Sequence, residues 1–171
     1  MYALMAWLCL CLPLAAQQGG YPLKFQFRDA SNQLHDTLMT RVRFKSWGSM
    51  ESFPNYLQWK NQPFAVRKST IHGLGLFADS VSSFNTGDVV VCAFVKRSST
   101  GRFDLDYLQT NPASFINDAQ NANLDIEITA HSIVLKAKET ISPLTELTIS
   151  YAALIALFAD DTTVKHAVKY W

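Results

Sequence analysis

The sequence predicts a mostly β fold with short helices, and three observations carry that prediction. From Pro63 onward the apolar residues fall in short runs of strand length: Phe64–Lys68, Leu74–Ala78, Val89–Val95, Leu124–Ile128, Ile133–Ala137 and Leu147–Tyr151. Turn chemistry separates them, with Phe84-Asn85-Thr86-Gly87-Asp88 feeding the run at Val89 and Ile141-Ser142-Pro143-Leu144-Thr145 feeding the last one. Helical candidates are few and short, at Leu105–Thr110, Leu154–Phe158 and Val164–Trp171, the last as a helix or an arm. Short strands with few helices argue against a doubly wound sheet. At 171 residues and 49% hydrophobic, the chain suffices for one packed domain with an appendage.

Taken in order, residues 2–16 are uncharged and almost wholly apolar, with Ala15-Ala16 before Gln17. That length suits a signal-peptide core and is short for a membrane span of ~20 residues. A basic residue ahead of it is missing, since Lys24 is the first lysine or arginine. A secretory signal, an upstream start not used in the cell and a buried N-terminal element therefore stay open. Leu23–Arg28 and Arg41–Lys45 alternate with period two and read as half-buried strands, with turn residues at Asp29–Gln33 between them. Trp47, Phe53, Tyr56, Leu57 and Trp59 follow as cover for a core edge. In Leu124–Ile128 the apolar residues share one face and Asp125 and Glu127 the other. Leu147, Ile149 and Tyr151 likewise share a strand face opposite Thr148 and Ser150.

A net charge of +1 hides an asymmetry. Residues 1–68 hold eight lysines and arginines against three acids, whereas residues 69–161 hold five against eleven. An acidic domain of this kind lacks the basic face of a nucleic-acid binder and suits a cationic peptide, or simply a solvated surface. Cys9, Cys11 and Cys92 form no CxxC pair and no cluster with histidine, which argues against a structural zinc site or a disulfide framework. Cys92, inside Val89–Phe94, reads as a small core residue.

Singly the motifs are weak: Gly73-Leu74-Gly75 reads as a bend where backbone approaches backbone, and His72 as a turn residue. In order and spacing they resemble the SET-domain family. Ser69–Ala78 resembles the family's opening Gly-x-Gly turn, and Phe84–Val89 its next Gly-acid turn before a strand. Phe115–Leu124 resembles its Phe-Ile-Asn-His-Ser-Cys-x-Pro-Asn segment, and Glu146–Tyr151 its Glu-Leu-Thr-x-x-Tyr end. Five positions depart: Asp118 stands for His, Ala119 for Ser, Gln120 for Cys, Ala122 for Pro and Ala152 for Gly. Leu144 also stands where glycine is common.

The resemblance implies a SET-like β-clip fold of small sheets with a knot-like C-terminal crossing over residues 63–159. Around it lie an apolar N-terminal segment (1–20), an extension with a β-hairpin (21–62) and a tail (160–171). It implies a protein-lysine methyltransferase using S-adenosylmethionine on a protein or peptide substrate, in the cytoplasm or nucleus, where that cofactor is available. Tyr151 is then the catalytic residue; His72, Gly73, Leu74, Gly75, Asn117 and Asp118 line the cofactor, and an aromatic from Phe158, Tyr170 or Trp171 covers it. An inactive SET-like module that binds a basic peptide is the alternative, and mere structural kinship a third. All three require, or deny, that the turn near residue 74, Asn117 and Tyr151 meet in space.

Overall fold

The computed structural model describes residues 23–28, 31–39, 41–51, 53, 56–59 and 62–169. The expectations for residues 1–20, including Cys9 and Cys11, and for Tyr170 and Trp171 lie outside the described residues. The chain runs β1 (Leu23–Arg28), β2 (Leu34–Met39), α1 (Arg41–Gly48), β3 (Leu57–Trp59), β4 (Phe64–Lys68), β5 (Leu74–Ala78) and β6 (Val89–Lys96). It continues with α2 (Phe103–Asp106), β7 (Tyr107–Gln109), a 3-10 turn (Pro112–Phe115), β8 (Asn117–Asp118), β9 (Leu124–Ile128) and β10 (Ser132–Ala137). Last come β11 (Thr148–Ile149), α3 (Tyr151–Leu157) and α4 (Thr162–Lys169). The described chain is thus mostly β with short helices.

Two antiparallel sheets, ordered β2-β1-β3-β4-β5 and β7-β6-β10-β9, and a parallel pair, β8 with β11, make up the architecture. The first sheet crosses position 63 without interruption, so β1 to β3 of the extension and β4 and β5 form one hydrogen-bonded surface. One apolar cluster fills the interior, drawing Val66 and Leu76 from the first sheet, Phe94, Ile133 and Leu135 from the second, and Phe115, Ile149 and Leu154 from the segments that carry the site. Phe53 and Leu57 are buried and Trp47 and Trp59 pack against the cluster, so these three aromatics do cover the core edge.

Four expectations are corrected. Arg41–Lys45 is helical, the start of α1, and the partner of β1 is Leu34–Met39. Five alternating residues cannot separate the two periods when a closer strand takes the sheet edge. Leu105–Thr110 divides into the one-turn helix α2 and the strand β7, where Leu108 pairs with Val95. Cys92 is exposed, because register shifts in the β6–β10 pairing break strict alternation and bury residues two at a time. Finally, only Thr148 and Ile149 pair as a strand, and Tyr151 begins α3. Ser150 caps that helix by accepting the Ala153 N–H at 3.2 Å, which ends the strand before the tyrosine.

Candidate functional site

The site is built around three consecutive residues, Ile116, Asn117 and Asp118. The 3-10 turn ahead of them buries Ala113, Ser114 and Phe115, which drives Ile116 (1% exposed) and Asn117 (8% exposed) into the interior. Parallel pairing then fixes their register, with Asn117 opposite Thr148 and Asp118 opposite Ile149. The Ala119 N–H donates to the Ile149 carbonyl at 3.0 Å, so alternation turns the main-chain groups of Asp118 away from β11.

Asn117 grips the glycine turn. Its Nδ2 donates to the His72 carbonyl at 3.1 Å, the Leu74 carbonyl at 3.2 Å and Glu146 Oε1 at 2.7 Å. Three acceptors around one nitrogen fix the amide's orientation without ambiguity. The Glu146 oxygen also accepts the Ser69 hydroxyl at 2.7 Å, and Ser69 Oγ in turn accepts the Ile71 N–H at 2.9 Å. The turn from Ser69 to Leu74 is therefore held from inside by a buried amide and a half-buried carboxylate. Gly73 supplies the left-handed corner, at φ 51, and the space where its side chain would be is open. Gly75 differs, since a Cβ there would lie 2.4 Å from Glu146 Oε1. Its missing side chain makes room for the carboxylate rather than for a ligand.

Tyr151 is held at both ends by the same tripeptide. Its hydroxyl donates to the Ile116 carbonyl at 2.7 Å, and its N–H donates to Asp118 Oδ1 at 2.8 Å. Burial, and then the Asp118 carboxylate, push the phenol's pKa well above that of an ordinary tyrosine. It is neutral at physiological pH. Asp118 itself is exposed, at the start of α3, where a carboxylate suits the helix's unpaired N–H groups.

The structure thus brings Tyr151, Asn117, Asp118 and the main chain of His72 to Leu74 together, while the exposed His72 side chain stands outside this network. Phe158 packs against Phe103 at 4.9 Å and Tyr107 at 5.7 Å between ring centroids. Sequence reasoning missed Glu146, Ser69 and Asn123 as members of the site. Asn123 Nδ2 donates to the Glu146 carbonyl at 2.7 Å and its Oδ1 accepts the Thr148 N–H at 2.9 Å, a side-chain amide standing in for a strand. A usable signal existed for Glu146, the lone charge in residues 140–159. Among the described residues no group of histidines, cysteines and acids has a metal-binding arrangement, and no helix is long and apolar enough to cross a membrane.

No protein-family profile matches this chain, and no curated protein matches it by sequence. Among solved structures, it is similar to a Plasmodium falciparum protein described as a "putative histone methyltransferase". The TM-score is 0.42 at 15% sequence identity, over 53% of this chain and 94% of that one.

Proposed function

We propose that residues 63–159 form a small SET-like domain, a β-clip fold closed by a knot-like C-terminal crossing, that methylates a lysine of a protein substrate with S-adenosylmethionine. One observation carries this reading: a single tripeptide, Ile116 to Asp118, holds the glycine turn through the Asn117 amide and holds Tyr151 by its N–H and its hydroxyl. When bound, S-adenosylmethionine supplies a methyl group on a sulfonium, and transfer forms a C–N bond as the C–S bond breaks.

The residues would divide the work as follows. The open corner at Gly73, with the main chain of His72, Leu74 and Gly75, would receive the methionine end. The Asp118 main chain, facing away from β11, offers a donor and an acceptor to the adenine edge. Asn117 has its amide donors spent inside the chain, so it acts by shaping the turn. Tyr151 cannot serve as a base while its phenol is neutral and its proton is directed at Ile116. Its oxygen acts as an acceptor that orients the lysine amine, and half-buried surroundings favour the amine's neutral, nucleophilic form.

A second reading has its own support. The Glu146 carboxylate fills the space above Gly75, and Asp118 replaces the histidine of the family that the sequence resembles, which suits a non-catalytic module binding basic peptides. Labelled S-adenosylmethionine with lysine-rich peptides separates the two. Methylation requires transfer that falls by about 100-fold in a folded Tyr151→Phe variant. Peptide binding that weakens with salt, without any transfer, establishes the module instead.

A further inference from the structure

A cleft of about 410 Å³ opens beside the first sheet, lined by Arg28, Gln58, Trp59, Gln62, Asp79 and Ser82, and it shares no residue with the site above. Its volume lies in the range of small-molecule pockets. Two of its charged groups are incompletely matched. Asp79 is 4% exposed and has no ion pair among the described residues. Its Oδ1 accepts the N–H groups of Val81 at 3.0 Å and Ser82 at 2.6 Å, whereas among the described residues Oδ2 meets only Gln58 Nε2, at 3.4 Å, the far limit of a hydrogen bond. Buried carboxylates ordinarily have a cation or several short hydrogen bonds. Arg28 is half-buried, and of its five N–H donors only Nη1 is engaged among the described residues, by the Asn32 carbonyl at 2.9 Å. Arg28 and Gln58 are direct cross-strand partners, so guanidinium and amide stand side by side at the cleft.

We propose that this cleft binds a small zwitterion, of the class of free α-amino acids, with its ammonium on Asp79 and its carboxylate on Arg28. A simple anion would meet the Asp79 carboxylate and a simple cation would meet Arg28, and like charges in a partly desolvated cleft oppose binding. A ligand carrying both charges satisfies both walls at once. Gln58 and Gln62 add donors and acceptors for a polar side chain, and Trp59 a flat apolar surface.

Isothermal titration of the full chain with L-glutamine, L-arginine and L-methionine, each also as its N-acetyl and its amide derivative, tests the assignment. At least one free amino acid binds at millimolar concentration or below, and blocking either end weakens it by about tenfold or more. Asp79→Asn, which keeps an acceptor for the Val81–Ser82 turn, and Arg28→Gln each lower the affinity by a similar factor, with unchanged circular dichroism. If Asp79→Asn fails to fold, Arg28→Gln decides alone. No heat from any free amino acid, equal binding of the blocked forms, or indifference to Arg28→Gln overturns the proposal. Methyl transfer measured in Arg28→Gln is unaffected in either case, so this assignment and the methyltransferase reading fail separately.

Discussion

At the scale of single residues, the most exposed conflict with local rules is Leu144, whose φ of 62 places a bulky side chain in the left-handed region. Such a conformation costs a non-glycine residue roughly 1–2 kcal/mol. Leu144 is held there because its N–H reaches the carbonyls of Ala78 and Asp79, both at 3.2 Å, and its side chain is 45% exposed, so little packing would be lost with it. Leu144→Gly removes the strain and adds some unfolded-state entropy, for a net gain of about 1 kcal/mol and a rise in Tm of roughly 2–4 °C. A melting curve that moves down instead would mean that the leucine side chain is itself needed. Asn117 calls for the opposite treatment. Asn117→Ala forfeits a bond to a carboxylate and two to carbonyls, on the order of 2–3 kcal/mol. Asn117→Asp has nearly the same shape but puts an acceptor against three acceptors, so it should melt below the alanine variant; an aspartate variant as stable as wild type would refute the assigned amide orientation.

Among elements, the contact between β5 and the segment leading into β11 shows most clearly what packing adds to sequence. Glu146 bridges Phe77, the Leu147 N–H donates to the Leu76 carbonyl at 2.8 Å, and the Glu146 carboxylate lies against Gly75. Gly75→Ala would push a methyl into Glu146 Oε1, an overpacking cost of about 1–3 kcal/mol. Most of that cost should vanish in a Glu146→Ala background, and a double-mutant cycle by denaturant titration would show the coupling; additive losses would place the strain elsewhere. Five of the six runs after Pro63 were legible because short apolar runs bounded by turn residues are local signals, whereas of the sixth only Thr148 and Ile149 pair as a strand. Legible too was the order of the glycine turn, Asn117 and Tyr151 along the chain. Three features were not. The helical fate of Arg41–Lys45 depends on Leu34–Met39 taking the place beside β1. The outward turn of Cys92 depends on register shifts against β10. The roles of Glu146 and Ser69 depend on a meeting of residues 77 positions apart, which no local pattern encodes.

For the whole molecule, the titrating groups predict a stability plateau with two edges. Asp106 sits in a loop that feeds it hydrogen bonds from the Thr100 N–H at 2.7 Å, the Ser98 hydroxyl at 2.8 Å, the Thr100 hydroxyl at 2.9 Å and the Gly101 N–H at 2.8 Å. The Thr100 N–H contributes most, and together these outweigh burial and lower the carboxyl from 3.8 to about 2. Asp161 is lowered too: burial pulls it upward, but the Thr163 hydroxyl and the N–H groups of Phe103 and Thr163 prevail, tying α2 to α4. Below about pH 4 the unfolded chain binds protons that these carboxylates refuse, so stability is fully present above that pH and drains away as pH falls, for Asp106 through about pH 2. Tyr151 and Tyr107 set the other edge. Burial raises both phenols, so above about pH 10 the unfolded chain loses protons that the folded chain keeps, and stability falls as pH rises. Tm should therefore be flat from about pH 5 to 9 and decline on both sides. Asp106→Asn should melt below wild type on the plateau and converge with it near pH 2, because the neutral amide does not titrate. Tyr151→Phe loses the bond to the Ile116 carbonyl and should melt lower across the plateau, with a softer alkaline edge and an acid edge of unchanged steepness. An acid edge of unchanged steepness in Asp106→Asn would show that the loop from Ser98 to Gly101 does not depend on that charge, and that acid unfolding begins in another part of the molecule.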